Sequence, residues 1–100
     1  MAKGYWIGQV DITDMDGYRV YINGNAEVFR KYGAKFLVRG GTRELVEGAI
    51  RSRNVMIEFK DYKTALACYQ SSEYQKLVAV RAPHSTADMV VIEGYDGPQP

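Results

Sequence analysis

Cysteine is almost missing from this chain. Cys68 stands alone, which excludes an internal disulfide and every metal site built from several thiolates. Histidine is as scarce, with His84 the single example, so a closed zinc site has no donor set and no metal is expected. Neither sign of charge dominates: 13 Lys and Arg against 12 Asp and Glu leave a formal net charge of +1. A phosphate backbone is held by a broad cationic field, so nucleic acid is not an expected partner. No apolar run approaches the roughly 20 residues that cross a bilayer, and no membrane segment is expected. Met1-Ala2-Lys3 leads straight into a strand, without the separate apolar stretch of a signal peptide. The expected location is the cytoplasm.

The residues that are present describe an ordinary globular chain. With 46% hydrophobic and 25% charged residues over 100 positions, there is material for one core and not for two. One domain is expected over residues 1–95. The polar tail 96–100, with Gly97 and two prolines, is expected to be mobile.

Residues 5–12 are β-branched and aromatic and read as a strand closed by Thr13-Asp14. From Tyr18, bulky residues recur at Tyr21, Ile22, Val28, Phe29 and Tyr32, the spacing of one helical stripe, with Thr13 or Asp14 as its start cap and Gly33 as its end. Asn23-Gly24-Asn25 alone would be a turn, but the stripe stays in phase across it, at a cost of about 1 kcal/mol for Gly24 relative to alanine. Strands are predicted at 35–39 and 54–59, with a short strand at 44–47 joined to the former as a hairpin through Gly40-Gly41-Thr42-Arg43. Residues 62–82 are helical in composition, but their two apolar stripes are out of phase across Ser71-Ser72, which predicts a break there. A last strand is predicted at 89–95.

This order is the α+β, ferredoxin-like βαββαβ plan: an antiparallel sheet with helices on one face. The strands nevertheless carry apolar residues on both faces, Trp6 and Val10 against Tyr5 and Ile7, Met89 and Val91 against Val90 and Ile92. An open face this apolar exceeds what soluble monomers expose. A second copy is the simplest cover, so a homodimer with two facing sheets is expected.

The candidate site residues follow from charge and position. Arg39 ends an apolar strand just before Gly40-Gly41, and a cation that cannot shed its proton must reach water or meet an anion. Arg81, one turn past Leu77 and Val78, either pairs with a carboxylate such as Asp11, Glu47 or Glu58 or binds an anionic ligand. Asn25 lies on the inward stripe, its amide either satisfied by a nearby strand or loop or offered to a pocket. Tyr18, Tyr21 and Tyr69 either line a pocket for an aromatic or planar molecule or pack the core. Asp11 and Glu47 are candidate general bases if burial raises their pKa, and otherwise cap helices or pair with arginines. His84 sits in a loop and is expected to be solvated rather than to bind haem. Cys68 is expected to be a small buried hydrophobe.

Gly4-Tyr5-Trp6-Ile7, Val10-Asp11, Phe36-Leu37-Val38-Arg39-Gly40-Gly41, Glu47-Gly48, Ile57-Glu58-Phe59, Tyr69, Ser72-Glu73-Tyr74, Arg81 and Glu93-Gly94 form an ordered pattern. It resembles the bacterial domain-of-unknown-function family 1330, within the dimeric α/β-barrel superfamily, over about residues 3–95. The resemblance implies a barrel of two facing sheets with a pocket between each sheet and its helices or loops. Superfamily relatives include cofactor-free monooxygenases, muconolactone isomerases, haem-binding chlorite dismutases and plant stress-responsive proteins, so activity does not follow from the fold. Two readings result. One is an enzyme without metal or organic cofactor, in which Arg39 and Arg81 orient a small anionic or aromatic molecule, Asn25 polarises it and Asp11 or Glu47 moves a proton. The other is a non-catalytic ligand-binding or stress-related dimer using the same cavity.

Overall fold

A computed structural model describes residues 2–100. The first strand, β1 (Gly4–Ile12), obeys the period of two: Gly4, Trp6, Gly8 and Val10 are buried while Ile7 is exposed. Helix α1 (Met15–Tyr32) starts where the Asp14 carboxylate accepts from the Gly17 backbone N–H, and it ends at Gly33, whose φ of 69° only glycine adopts readily. It runs unbroken through Asn23-Gly24-Asn25. A Cβ on Gly24 would stand 2.6 Å from Leu77 Cδ2, so the missing side chain lets a neighbouring helix approach.

Strands β2 (Lys35–Arg39) and β3 (Arg53–Phe59) pair directly, and the segment between them, 40–52, is their connecting loop. The short strand expected at 44–47 is therefore corrected to loop. Gly40, Gly41 and Gly48 all take positive φ and turn the chain, and every residue from 41 to 50 is exposed and outside any strand. Helices α2 (Tyr62–Gln70) and α3 (Ser72–Arg81) meet at the expected break. Ser71 is extended there, its hydroxyl donating to the Cys68 carbonyl at 2.7 Å and accepting from the Tyr74 N–H at 3.2 Å. One serine thus ends one helix and starts the next.

A 3₁₀ turn (Ala82–His84) leads into β4 (Ser85–Glu93). This strand begins earlier than the expected 89–95 and stops sooner, because it pairs with the whole of β1, from Ile12 opposite Ser85 to Gly4 opposite Glu93. Its polar Thr86 and Asp88 are outward positions of a real strand, which masked its start. The antiparallel sheet has the order β2-β3-β1-β4, with all helices on one face, a ferredoxin-like α+β fold. In the tail the Tyr95 hydroxyl donates to the Pro98 carbonyl at 2.7 Å.

The core gathers around Trp6. Its ring lies 4.8 Å from Tyr74, 5.2 Å from Phe59, 5.4 Å from Phe29 and 5.6 Å from Tyr69, and its N–H donates to the Ala65 carbonyl at 2.8 Å. Each such ring pair contributes about 0.5–1.5 kcal/mol beyond area burial. Among the described residues no helix is long and apolar enough to cross a membrane.

Close packing at the start of β1 generates a stability prediction. A Cβ on Gly4 would fall 2.3 Å from the Asp61 carbonyl oxygen, which is backbone at the cap of α2. Gly4→Ala should cost about 1–3 kcal/mol, the usual penalty for overpacking. Urea denaturation measures it, and an unchanged midpoint would mean that the β3–α2 connection yields freely.

Candidate functional site

The site grows from an irregularity in β2. Phe36 stands opposite Ile57 and Val38 opposite Met56, so β2 carries one residue more than its partner across this step. Such a bulge re-aims the side chains that follow it. Phe36 faces the helices with Ile57, Val38 faces away with Met56, and Arg39, opposite Val55, returns to the helix side. Its guanidinium lies 4.1 Å over the Phe36 ring.

Two more arginines arrive at the same place. Arg53 begins β3, in alternation with Val55, Ile57 and Phe59, and pairs with Val10. Arg81 ends α3 and is 7% exposed, its guanidinium 5.4 Å from the Tyr21 ring. Arg39, Arg53 and Arg81 line one hollow between the sheet and α1, together with Tyr18 and Tyr21. Its cavity volume is only about 30 Å³, narrow throughout and with room for little more than water-sized groups. No carboxylate lines it, and among the described residues none of the three arginines forms an ion pair.

Burial keeps two of the phenols here, Tyr74 and Tyr18, neutral. Burial pushes the Tyr74 hydroxyl far above its ordinary pKa, and it shares a 2.5 Å hydrogen bond with the Tyr21 hydroxyl. Burial also raises Tyr18, reinforced by Tyr21 and opposed by the nearby Arg53 and Arg81. For Arg81, burial works against the charge, and the phenolic oxygens of Tyr74 and Tyr21 outweigh it, so the guanidinium stays charged.

Of the residues singled out in the sequence, Arg39, Arg81, Tyr18 and Tyr21 come together at this hollow, and Asn25 and Tyr69 do not line it. Asn25 is buried in α1. Tyr69 packs edge-on against Trp6 and lies 5.5 Å from Tyr74, on the α2 side of the core. Asp11 lies on the opposite, open face of the sheet, where its carboxylate meets Arg51 at 3.1 Å and accepts from the Ser52 backbone N–H at 2.9 Å. Arg51 also reaches Asp88 at 2.7 Å, so it clasps the loop end to two strands. Glu47 is exposed in the 40–52 loop, lining a separate hollow with Leu45, Val46 and Ile50.

Arg53 escaped the sequence reading because its strand was started at Asn54. The signal was there: residues 53, 55, 57 and 59 share one face. Among the remaining candidates, His84 is tied to α1, its Nδ1 3.2 Å from the Asp14 carboxylate. Its ring also packs over Gly17. Burial pushes the Cys68 thiol up to about 12, which removes it as a nucleophile near neutral pH. The described residues contain no cluster of three or more His, Cys, Asp or Glu able to hold a metal.

A family model matches residues 3–95, that of the domain of unknown function DUF1330. The chain belongs to this family. No curated protein matches it. Among solved structures, this DUF1330 chain is similar to a protein of unknown function from Rhodopseudomonas palustris, at 14% identity and a TM-score of 0.72, covering 99% of this chain and 85% of that one. It is similar also to SnoaB, a cofactor-independent oxygenase from Streptomyces nogalater, at 11% identity and a TM-score of 0.64, covering 100% and 97%. A dimeric ferredoxin-like protein of unknown function from Thermobifida fusca matches at 13% identity and a TM-score of 0.58, covering 92% and 89%. At these identities the likeness is one of fold.

The Asp11 pair predicts a pH dependence. Hydrogen bonds from Ser52, aided by Arg51 and opposed by burial, hold this carboxyl below its ordinary pKa of 3.8. A group depressed in the folded state contributes stability above its unfolded pKa and loses it as pH falls through the folded value. Asp11→Asn should therefore lower the denaturation midpoint at pH 7 and narrow the gap to wild type below about pH 4, where the wild-type carboxyl itself protonates. Parallel midpoint curves from pH 7 to pH 3 would contradict this.

Proposed function

We propose that this protein is a homodimeric small-molecule-binding domain whose ligand is an anion held between the sheet and α1. The observation that carries this reading is the convergence of three guanidiniums on a hollow without a carboxylate. Buried charges are ordinarily paired, and Arg81 is buried beside Tyr74, Tyr21 and Tyr18 with no ion-paired carboxylate among the described residues. A bound anion completes that balance. Arg39, Arg53 and Arg81 orient it, and Tyr18 and Tyr21 supply hydroxyl donors and ring faces.

The dimer rests on the open face. Val38, Met56, Ile7 and Val90 form one cross-strand row over all four strands, and Ile7, Val38 and Val90 are at least 37% exposed. A second sheet laid over this row would bury it, and the similar ferredoxin-like protein from Thermobifida fusca is dimeric. The lone buried thiol of Cys68 accords with a cytoplasmic location.

Catalysis without a cofactor is the second reading of the same hollow, favoured by the Tyr21–Tyr74 hydroxyl pair at its wall. Tyr21, rather than Asp11 or Glu47, is then the group that moves a proton. Recovery of a bound molecule chemically changed separates this reading from simple binding.

Two experiments test the main reading. Ile7→Asp should convert a dimer to a folded monomer in sedimentation analysis, and a wild-type protein that already sediments as a monomer would remove the dimer. Thermal shift with small anions and their neutral analogues should show a concentration-dependent rise for anions only, because binding to the folded state stabilises it. The double substitution Arg39→Gln, Arg53→Gln should abolish that rise. Equal shifts for neutral and charged molecules would end the anion reading.

A further inference from the structure

We infer that the occupant of the arginine-lined hollow is a single chloride-sized anion, held by Arg39, Arg53, Arg81 and the Tyr18 hydroxyl. This rests on the anion reading above and adds the size and charge of the anion.

The space sets the size. One water molecule needs roughly 10–15 Å³ of such a cavity. A volume of about 30 Å³ therefore takes one atom somewhat larger than water, and excludes the body of an organic acid or a phosphate ester.

The donors set the shape. Arg39 closes β2, Arg53 opens β3 and Arg81 closes α3, so three guanidiniums reach the hollow from three different elements. Arg53 lies close to the turn after Arg39, its Nη1 3.7 Å from the point where a Cβ on Gly40 would stand. A single fork suits a planar carboxylate, whereas a spherical ion accepts N–H bonds from every side.

Tyr18 supplies a fourth donor. It lines the hollow and is 4% exposed, and among the described residues its hydroxyl has no hydrogen-bond partner. Yet no side-chain nitrogen or oxygen of the described residues is both sealed off and unpartnered. The Tyr18 hydroxyl therefore opens onto a space that an acceptor can enter, and the hollow is the space this residue lines. The Tyr21 hydroxyl is already engaged by Tyr74.

The rest of the wall sets the charge. It is apolar, with Val10, Ile22, Phe29, Phe36, Val55 and Ile57 among its residues, and no carboxylate competes for the arginines. A doubly charged ion gives up far more hydration against such a wall than a singly charged one. Fluoride, smaller and more strongly hydrated, gives up more than chloride for the same charge.

The test uses the full-length protein in gluconate, a counterion too bulky for the hollow, at constant ionic strength. Chloride, fluoride, formate and inorganic phosphate are each exchanged for gluconate while the thermal midpoint is followed, since an ion that binds the folded state raises it saturably. Line broadening in chloride NMR gives a second readout, independent of stability. Chloride should bind at least tenfold tighter than the other three. Arg53→Gln should weaken chloride at least tenfold and Tyr18→Phe at least threefold, both with wild-type circular dichroism. Fluoride, formate or phosphate binding as tightly as chloride overturns the chloride-sized ion and leaves the anion reading standing. No saturable rise with any of the four overturns the anion reading and this inference with it. Unchanged chloride affinity in either folded variant marks an ion bound elsewhere and overturns the inference.

Discussion

The hydrogen bond from the Trp6 indole to the Ala65 carbonyl fixes the relation of sheet to helices on which everything else depends. An indole N–H can only donate, and buried without an acceptor it would cost about 1–3 kcal/mol. Ala65 supplies that acceptor from α2, so the completely buried ring has one seat and one orientation. Seated there, it presents its faces and edges to Phe29 of α1, Phe59 of β3 and Tyr74 of α3. Tyr74 then meets Tyr21 through their hydroxyls, and the Tyr21 ring carries Arg81. The position of the deepest cation is thus a consequence of core packing, reached from Trp6 in three contacts.

The arginines divide by what they face. Arg51, on the open side, has its guanidinium matched by two carboxylates without any ligand, and its backbone N–H donates to the Gln9 side-chain oxygen. Such partly exposed pairs contribute about 0–1 kcal/mol each and serve chiefly to fix the loop end. Arg39, Arg53 and Arg81 lie on the helix side, where β1 supplies tryptophan, valine, isoleucine and glycine and no acid. A cation over an aromatic face gains about 0.5–2 kcal/mol, less than several kcal/mol of desolvation for a buried ion. Arg81 is held charged by the phenolic oxygens of Tyr74 and Tyr21 and by no carboxylate, which sets it apart from the surface ion pairs.

Much of this was legible in the sequence, and the exceptions have physical causes. The stripe from Tyr18 to Tyr32 located α1 despite Gly24, because periodicity over about four turns outweighs one poor residue. The phase change at Ser71 located the break between α2 and α3, because a serine hydroxyl caps both. The placement of Asp11 was legible too and was not used: with Trp6 and Val10 turned toward the helices, alternation sends Asp11 to the open face. The bulge after Phe36 was not legible, since no glycine or proline marks it and the register that defines it belongs to β3. Simple alternation would have sent Arg39 outward with Leu37. Glu44 to Glu47 have the composition of a strand, yet they leave the open outer edge of β2 unpaired, because the glycines at 40, 41 and 48 take positive φ and turn the chain instead of letting it run extended beside β2.

That bulge also links the two faces of the sheet. By adding one residue to β2, it turns Arg39 toward the helices and at the same time leaves Leu37 and Val38 both exposed, at 43% each. Without it, Val38 would share the inner face with Phe36 and close the hollow with an apolar side chain. The open face would lose one end of its four-strand apolar row, and the helix side would lose a cation. A single irregularity, the extra residue between Phe36 and Val38, therefore serves both surfaces. Edge strands tolerate such an insertion because only one neighbour has to adjust its pairing. A central strand such as β1, paired along its whole length with β4 and along most of it with β3, has no such freedom. The arginine site is accordingly built at the edge of the sheet, where the backbone can be re-aimed, and anchored at its deep end by the aromatic core, where it cannot.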